Sequence, residues 1–129
     1  MEIPEVYKDL FADETKAYLF LATIMPDGTP QVTPVWFNAD EDHILVNTAA
    51  GRVKDKNMQE RPHVAVVIQD PCDPYRFMQI RGKIAERTTQ GADAHINKLS
   101  QKYRGKDWDI PGNETRVIFK IKPAKISGH

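Results

Sequence analysis

The chain has 129 residues, with 18 basic and 18 acidic side chains that cancel at neutral pH. This length predicts one domain spanning residues 1–129, and the balanced charge argues against a basic surface that would hold nucleic acid. The apolar runs Ala17–Ile24 and Val64–Ile68 are too short to cross a bilayer, and the N-terminus lacks the pattern of a signal peptide. Cys72 is the only cysteine, which is typical of a reducing compartment. We therefore expect a cytoplasmic protein with neither a membrane nor a nucleic acid as its partner.

The first half of the chain predicts one helix and three strands. A proline followed by apolar residues at helical spacing predicts a short amphipathic helix over Pro4–Ala12. Apolar and β-branched residues predict strands over Lys16–Met25 and Thr29–Phe37, joined by the hairpin turn Pro26–Gly28. A second polar turn then leads into a third strand, His43–Asn47.

The second half alternates between helical and strand-like patterns. Gly82 lies inside a long strand, where it predicts a bulge or a tight bend. Pro123 is expected to end the last strand. The predicted elements are a helix over Val53–Arg61, strands over His63–Gln69 and Tyr75–Glu86, a helix over Thr88–Arg104, a polar loop over Gly105–Asn113 and a strand over Thr115–Lys122.

The predicted elements favour a mainly β fold with short helices. Six strands joined mostly by hairpin-length turns indicate a closed or nearly closed antiparallel barrel. The interior of such a small barrel is filled with side chains, so a sizeable ligand has to lie on its outside. An interface between two protomers is the natural place for that site.

A candidate phosphate site lies in the segment Asn47–Asn57, where small residues, a glycine and three cations lead from a strand into a helix. Gly51 lets a ligand approach the backbone, and the N–H groups and dipole at the start of the helix favour negative charge. Arg52 can form two hydrogen bonds with one phosphate, while Lys54 and Lys56 supply point charges. No Gly-Lys-Ser/Thr follows, so the pattern is not that of a nucleoside triphosphatase.

The residues that usually carry catalysis are not grouped in this sequence. The four histidines are interpreted as surface or half-buried residues because they show no zinc-binding spacing, and no Gly-x-Ser-x-Gly is present. We therefore expect no metal site and assign no catalytic side chain. Either the protein only binds a ligand, or a bound cofactor performs the reaction. A redox cofactor of the flavin type fits the second option, since its ring needs a flat slot and backbone hydrogen bonds.

Two strands could form walls of such a slot. In Gln31–Trp36, Pro34 lacks a backbone N–H and is expected at an edge or a bulge, where backbone groups are free for a ligand. Trp36 can pack either on a ring or in the core. The strand at Tyr75–Arg81 alternates between cationic and apolar residues.

Together these segments resemble the split-barrel family related to pyridoxamine 5'-phosphate oxidase, over about Thr15–Pro123. Some of them are similar to the branch that uses the deazaflavin coenzyme F420 in place of FMN. The segments that carry the family resemblance are Ala22–Trp36, Val46–Thr48, Arg52, Lys54 and Asn57, and those that carry the resemblance to the F420 branch are Asp70–Gly82, Lys102–Gly105 and Arg116–Pro123.

The resemblance implies a six-stranded antiparallel split β-barrel that forms a homodimer, with a cofactor in each of two grooves between the protomers. The strand at Thr33–Trp36 and the strand end at Asn47–Ala49 would line the ring of the cofactor. The cations Arg52 and Lys54 would hold its phosphate, and the Tyr75–Arg81 strand of the second protomer would close the groove. The implied cofactor-binding residues are Thr33, Pro34, Val35, Trp36, Asn47, Thr48, Ala49, Arg52, Val53, Lys54, Lys56, Asn57, Tyr75, Phe77 and Gln79.

Three functions fit these features. The first is an oxidoreductase that uses reduced F420 to transfer a hydride to an unsaturated organic small molecule. The second keeps the fold but binds FMN, as an oxidase or reductase of the pyridoxamine 5'-phosphate oxidase type. The third is a non-catalytic protein that binds a flavin or a tetrapyrrole. The chain lacks the C-terminal Trp-and-Arg segment of the true pyridoxamine phosphate oxidases, which argues against vitamin B6 as the substrate.

Overall fold

The computed structural model describes residues 1–109 and 112–128. Ile110 and Pro111 of the predicted loop Gly105–Asn113, together with His129, lie outside the described residues. No helix in the described part of the chain is long and apolar enough to cross a membrane. The strands are β1 (Tyr18–Ile24), β2 (Pro30–Val35), β3 (Phe37–Ala39), β4 (Ile44–Ala49), β5 (His63–Gln69), β6 (Phe77–Thr88) and β7 (Arg116–Gly128), and the helices are 3-10 helices at Glu5–Phe11 and Asp13–Thr15, α1 (Val53–Glu60) and α2 (Ala92–Arg104).

All strands belong to one antiparallel sheet with the order β2-β1-β5-β6-β7-β4-β3. The two edge strands, β2 and β3, are separated in the chain only by Trp36. The sheet must therefore curl until its edges approach each other, while no strand ladder joins β2 to β3 in the described residues. This arrangement is a split barrel, and Trp36 lies at the split.

The interior of the barrel is apolar because alternate residues of the strands face inward. In β1, Leu19 and Leu21 are buried, and the same alternation gives Val64, Val66 and Ile68 in β5. Large side chains from the other strands complete the core. The largest of these are Phe37, Ile44, Met78, Ile80, Phe119 and Ile121. The barrel therefore has no room for a large ligand inside.

The outer surface of the sheet is covered on one half only. Helix α2 packs on β4 and β7, where its apolar stripe buries Ile96 and Leu99. The outer face of β2, β1, β5 and β6 has no helix over it among the described residues. Cross-strand pairs on that face join Pro34 to Phe20 and Phe20 to Val67, so the part formed by β2, β1 and β5 is largely apolar. Strand β6 adds the exposed polar side chains Gln79, Arg81 and Lys83 to the same face.

The predicted strand Thr29–Phe37 is divided in two, which gives seven strands rather than six. Trp36 separates the parts because the chain leaves one edge of the sheet and joins the other there. The last strand also continues past Pro123 to Gly128, so the prediction that it ends at Pro123 is wrong. Pro123 lies opposite Gly82, where the register between β6 and β7 shifts, so the bulge predicted at Gly82 is confirmed. A bulge accommodates Pro123 because proline has no backbone N–H to donate to the ladder.

Two helices differ from the predictions. The N-terminal element is a 3-10 helix, Glu5–Phe11, which buries Leu10 but leaves Val6 exposed, so the predicted amphipathic stripe is incomplete. Helix α2 begins at Ala92 rather than at Thr88, because β6 runs on to Thr88. Gly91 then takes a left-handed conformation, with φ of 76°, that separates strand from helix.

Candidate functional site

A cavity of about 430 Å³ opens at the split of the barrel, where β1, β2 and β4 meet both helices. Three chemical surfaces form it: a cluster of cations (Arg52, Lys54 and Arg116), an aromatic wall (Trp36, Tyr103 and Trp108) and the polar side chains of β4 (Asn47 and Thr48). Its lining residues are Tyr18, Leu19, Pro34, Val35, Trp36, Asn47, Thr48, Arg52, Lys54, Ile96, Leu99, Tyr103, Trp108 and Arg116.

The cations of the cavity lie close enough to affect one another. Burial lowers the pKa of Lys54, and the charges of Arg52 and Arg116 lower it further. Arg116 forms an ion pair with Glu114. Among residues 1–109 and 112–128, no carboxylate forms an ion pair with Arg52 or Lys54. This uncompensated positive charge favours an anionic ligand.

The turn that carries Arg52 and Lys54 is held by a buried carboxylate. Asp55 accepts hydrogen bonds from the Gly51 N–H at 2.8 Å and from Arg87 Nε at 2.8 Å. Burial opposes the ionisation of Asp55, but these hydrogen bonds hold its pKa below the usual range. The Gly51 N–H is therefore occupied. The first N–H groups of α1 have no side-chain cap from Arg52, so they are the backbone donors that a phosphate could use.

Two buried polar atoms of the cavity wall have no hydrogen-bond partner among the described residues. They are Thr48 Oγ1 and Trp108 Nε1. A buried polar group without a partner costs roughly 1–3 kcal/mol. A ligand that supplied partners to both atoms would remove this cost, so the wall is suited to a ligand with polar atoms along its edge.

The aromatic wall is built around Trp36. Its ring is stacked on Tyr103, with centroids 5.6 Å apart and planes 6° apart, and meets Trp108 edge-on at 5.8 Å. Arg104 lies over both indole rings, at 5.7 Å from Trp36 and 5.3 Å from Trp108. The Tyr103 hydroxyl donates to Ala17 O at 2.7 Å, and burial raises its pKa, so this hydroxyl is a poor proton donor to a ligand.

Behind the cavity, His95 is buried rather than on the surface or half-buried, which corrects the interpretation of this histidine. Its ring lies between the side chains of Asn38 and Asn47. Burial lowers the pKa of His95 to about 4, and the positive charges of Lys98 and Arg116 act in the same direction. The imidazole is therefore neutral at physiological pH.

The structure brings seven of the predicted site residues together around the cavity. They are Pro34, Val35, Trp36, Asn47, Thr48, Arg52 and Lys54. The edge position predicted for Pro34 is confirmed, because β2 is an edge strand.

Other predicted residues lie near this cavity without lining it. Thr33 lies opposite Leu21 and shares its inward face. Ala49 is buried, whereas Val53 and Lys56 are exposed on α1. Asn57 is buried and donates to Thr23 Oγ1 at 3.0 Å while it accepts from Arg61, so its amide fixes α1 to β1.

Tyr75, Phe77 and Gln79 do not line this cavity. Phe77 and Gln79 pair with Gln69 and Val67 on the uncovered outer face of the sheet. Their assignment to the groove of a second protomer stays a prediction.

Seven lining residues were not predicted. They are Tyr18, Leu19, Ile96, Leu99, Tyr103, Trp108 and Arg116. The spacing of Ile96, Leu99 and Tyr103 in the sequence is helical and indicates one face of α2, but it does not indicate which strands that face contacts. Arg116 enters the site because β7 pairs with β4, which places it beside Ala49.

The family described as Pyridoxamine 5'-phosphate oxidase matches residues 3–129, nearly the whole chain. The chain belongs to this family. No curated protein matches it significantly. Among solved structures it is similar to an F420 reductase, with 33% identity and a TM-score of 0.85, over 97% of this chain and 98% of the other.

More distant structures share the fold of the family. A conserved hypothetical protein, Rv2991 from Mycobacterium tuberculosis, has 22% identity and a TM-score of 0.75 over 99% of this chain and 85% of its own. A protein from Listeria innocua that is described as a pyridoxamine 5'-phosphate oxidase has 20% identity and a TM-score of 0.70, over 96% of this chain and 98% of its own. At these identities the likeness concerns the fold alone.

Proposed function

We propose that the protein is a cytoplasmic oxidoreductase that uses reduced coenzyme F420 to transfer a hydride to an unsaturated organic molecule. The observation that carries this proposal is the uncompensated pair Arg52 and Lys54 in a cavity whose wall also holds the unpartnered atoms Thr48 Oγ1 and Trp108 Nε1. Family membership supports a cofactor of the flavin type, and the F420 reductase at 33% identity supports the deazaflavin.

The cavity fits such a cofactor in charge and in hydrogen bonding. Arg52 and Lys54 would hold the phosphate, while Thr48 Oγ1 and Trp108 Nε1 would meet polar atoms at the edge of the ring system. F420, when bound, supplies two-electron hydride transfer. The protein's own residues then bind, orient and exclude water, and Trp36 with Tyr103 forms an apolar wall suited to that last task.

The uncovered face of the sheet supports a homodimer with the cavity at its border. Tyr18 and Val32 on this face are 52% and 65% exposed, and an apolar surface of this kind is typical of a protein interface. Tyr18 and Pro34 also line the cavity, so a partner seated on the face would lie next to the ligand. A two-fold axis through this face would bring Phe77 and Gln79 of the second protomer close to the groove.

FMN is the alternative cofactor, because the family description names an oxidase of the FMN-using type and the same cations suit its phosphate. The two cofactors are distinguished by titrating one purified sample with oxidised F420 and with FMN, followed by fluorescence. Micromolar or tighter binding of F420 with weaker binding of FMN supports the proposal. The opposite preference assigns the protein to FMN, and binding of neither refutes both. Tight binding without turnover on any acceptor would instead indicate a non-catalytic binding protein.

The phosphate assignment is tested by the double variant Arg52→Gln/Lys54→Gln. Hydrogen bonds to charged groups are worth about 1.5–3 kcal/mol each, so we expect a loss of roughly 2–5 kcal/mol in binding free energy after allowing for the exposure of Arg52. The matched control is Lys8→Gln/Lys120→Gln, which removes the same charge away from the cavity. Equal affinities for the two double variants would show that Arg52 and Lys54 do not contact the phosphate.

A further inference from the structure

Four buried polar side chains form a continuous row behind the cavity. His95 Nε2 lies 2.8 Å from Asn38 Oδ1, His95 Nδ1 lies 3.0 Å from Asn47 Nδ2, and Asn47 Oδ1 lies 2.8 Å from Arg116 Nε. The four side chains are only 5–8% exposed. The row begins on β3 and passes through α2 and β4 to β7, and its last two members line the cavity.

The direction of every hydrogen bond in the row is fixed by its surroundings. Asn47 Nδ2 also lies 2.9 Å from Ala92 O, which can only accept, so this end of the amide is the donor. Asn47 Oδ1 must then accept from Arg116 Nε. His95 Nδ1 accepts the remaining N–H of Asn47, so the ring proton is on Nε2 and is donated to Asn38. A single tautomer of His95 satisfies all four residues.

The row holds the guanidinium of Arg116 in one orientation. Its Nε donates to Asn47, and its Nη1 donates to Glu114. Its Nη2 has no hydrogen-bond partner within the described ranges 1–109 and 112–128. Because Glu114 compensates the charge, Arg116 differs from Arg52 and Lys54: it offers an oriented N–H donor rather than an uncompensated charge.

We propose that His95 is a positioning residue that acts through Asn47 to orient Arg116, and that Arg116 Nη2 is a further ligand-binding donor of the cavity. The donor would meet an uncharged or partly charged oxygen, such as a ring carbonyl, while Arg52 and Lys54 take the phosphate. The binding role of Arg116 rests on the proposed function, whereas the positioning role of His95 does not.

The positioning role is tested on the ligand-free protein by NMR, from the hydrogen-exchange rate of the Arg116 Nε–H. The side chain of asparagine can place an oxygen near the position of His95 Nδ1, whereas glutamine reaches the position of Nε2. We expect slow exchange in the wild type and in His95→Asn, and exchange at least roughly tenfold faster in His95→Gln and His95→Phe, since only these lose the acceptor for Asn47. Ile121→Val, a buried change on the same strand, serves as the control for a general loss of stability. Slow exchange in His95→Phe would overturn the positioning role.

The binding role is tested with F420 and FMN on the wild type, Arg116→Gln, His95→Phe and the double variant. We expect each single change to weaken binding roughly tenfold, and the double variant to bind no worse than Arg116→Gln, because His95 acts only through that arginine. Additive losses would overturn the proposed route through Asn47. An unchanged affinity of Arg116→Gln would overturn its role as a donor. If the wild type binds neither cofactor, the proposed function and the binding role fail together, and the exchange rates still decide the positioning role.

Discussion

Lowering the pH from 7 to 4.5 should destabilise the protein through His95. The pKa of this residue is about 4 in the folded chain and about 6.5 in the unfolded chain, so the unfolded state binds the proton more tightly. The stabilising contribution is therefore complete above pH 6.5 and is lost as the pH falls towards 4. At about 1.36 kcal/mol per pKa unit, the complete loss is roughly 3 kcal/mol, a large part of the 5–15 kcal/mol that is typical of a domain.

The assay is urea unfolding at several pH values between 7 and 4.5. His95→Asn, which lacks the titrating ring, should lose much less stability over this range, and His63→Gln, which removes an exposed imidazole, should behave like the wild type. Asp40, Asp55 and Asp70 have pKa values lowered below 3.8, so their contributions are lost mainly below this range. A wild-type free energy of unfolding that stays constant from pH 6.5 to 4.5, or the same decline in His95→Asn, would refute the reasoning.

Three further changes test the fold around the site. Gly82→Ala should cost about 1–3 kcal/mol in urea unfolding, because its Cβ would lie 2.5 Å from the backbone oxygen of Lys122; an unchanged midpoint would contradict this contact. Asp55→Asn should cost roughly 2 kcal/mol in thermal unfolding, and Arg87→Gln should cost more, because it leaves the buried Asp55 carboxylate without its ionic partner, whereas Asp55→Asn leaves only the partly exposed Arg87 unpaired. Arg76→Gln removes the ion pairs with Asp9 and Asp70, so we expect a change in global stability of about 1 kcal/mol or less but faster proteolysis of the segment N-terminal to β1, which Asp9 ties to the barrel. Equal cleavage rates for the variant and the wild type would count against this role of Arg76.

The parts of the site that are contiguous in sequence could be predicted from it. The run from Asn47 to Lys54 carries its own signals, because the small residues, the glycine and the cations lie within a few positions and their chemistry does not depend on distant partners. The strand periodicity of His63–Gln69 was equally local, and its predicted bounds are confirmed. Pro34 could be placed at an edge because it lacks a backbone N–H.

The residues that come from distant segments could not be predicted in the same way. Arg116 becomes part of the site only through the pairing of β7 with β4, and Trp108 only through the return of the chain after α2. His95 is buried, contrary to its interpretation as a surface or half-buried residue, because two asparagines more than 40 positions away supply its hydrogen bonds. Such long-range pairs have no signature in the local pattern of one sequence.

The position of the cavity follows from the way in which the barrel is split. A strand that crosses from one edge of the sheet to the other in a single residue cannot keep its ladder, so Trp36 leaves a gap between β2 and β3. Helix α2 covers the sheet on one side of this gap, and the uncovered apolar face begins on the other side. A ligand in the gap therefore contacts a rigid wall on one side and, on the other, the surface to which we assign the second protomer. In our proposal, dimer formation and cofactor binding stabilise each other, because each would cover apolar surface at the border of the same cavity.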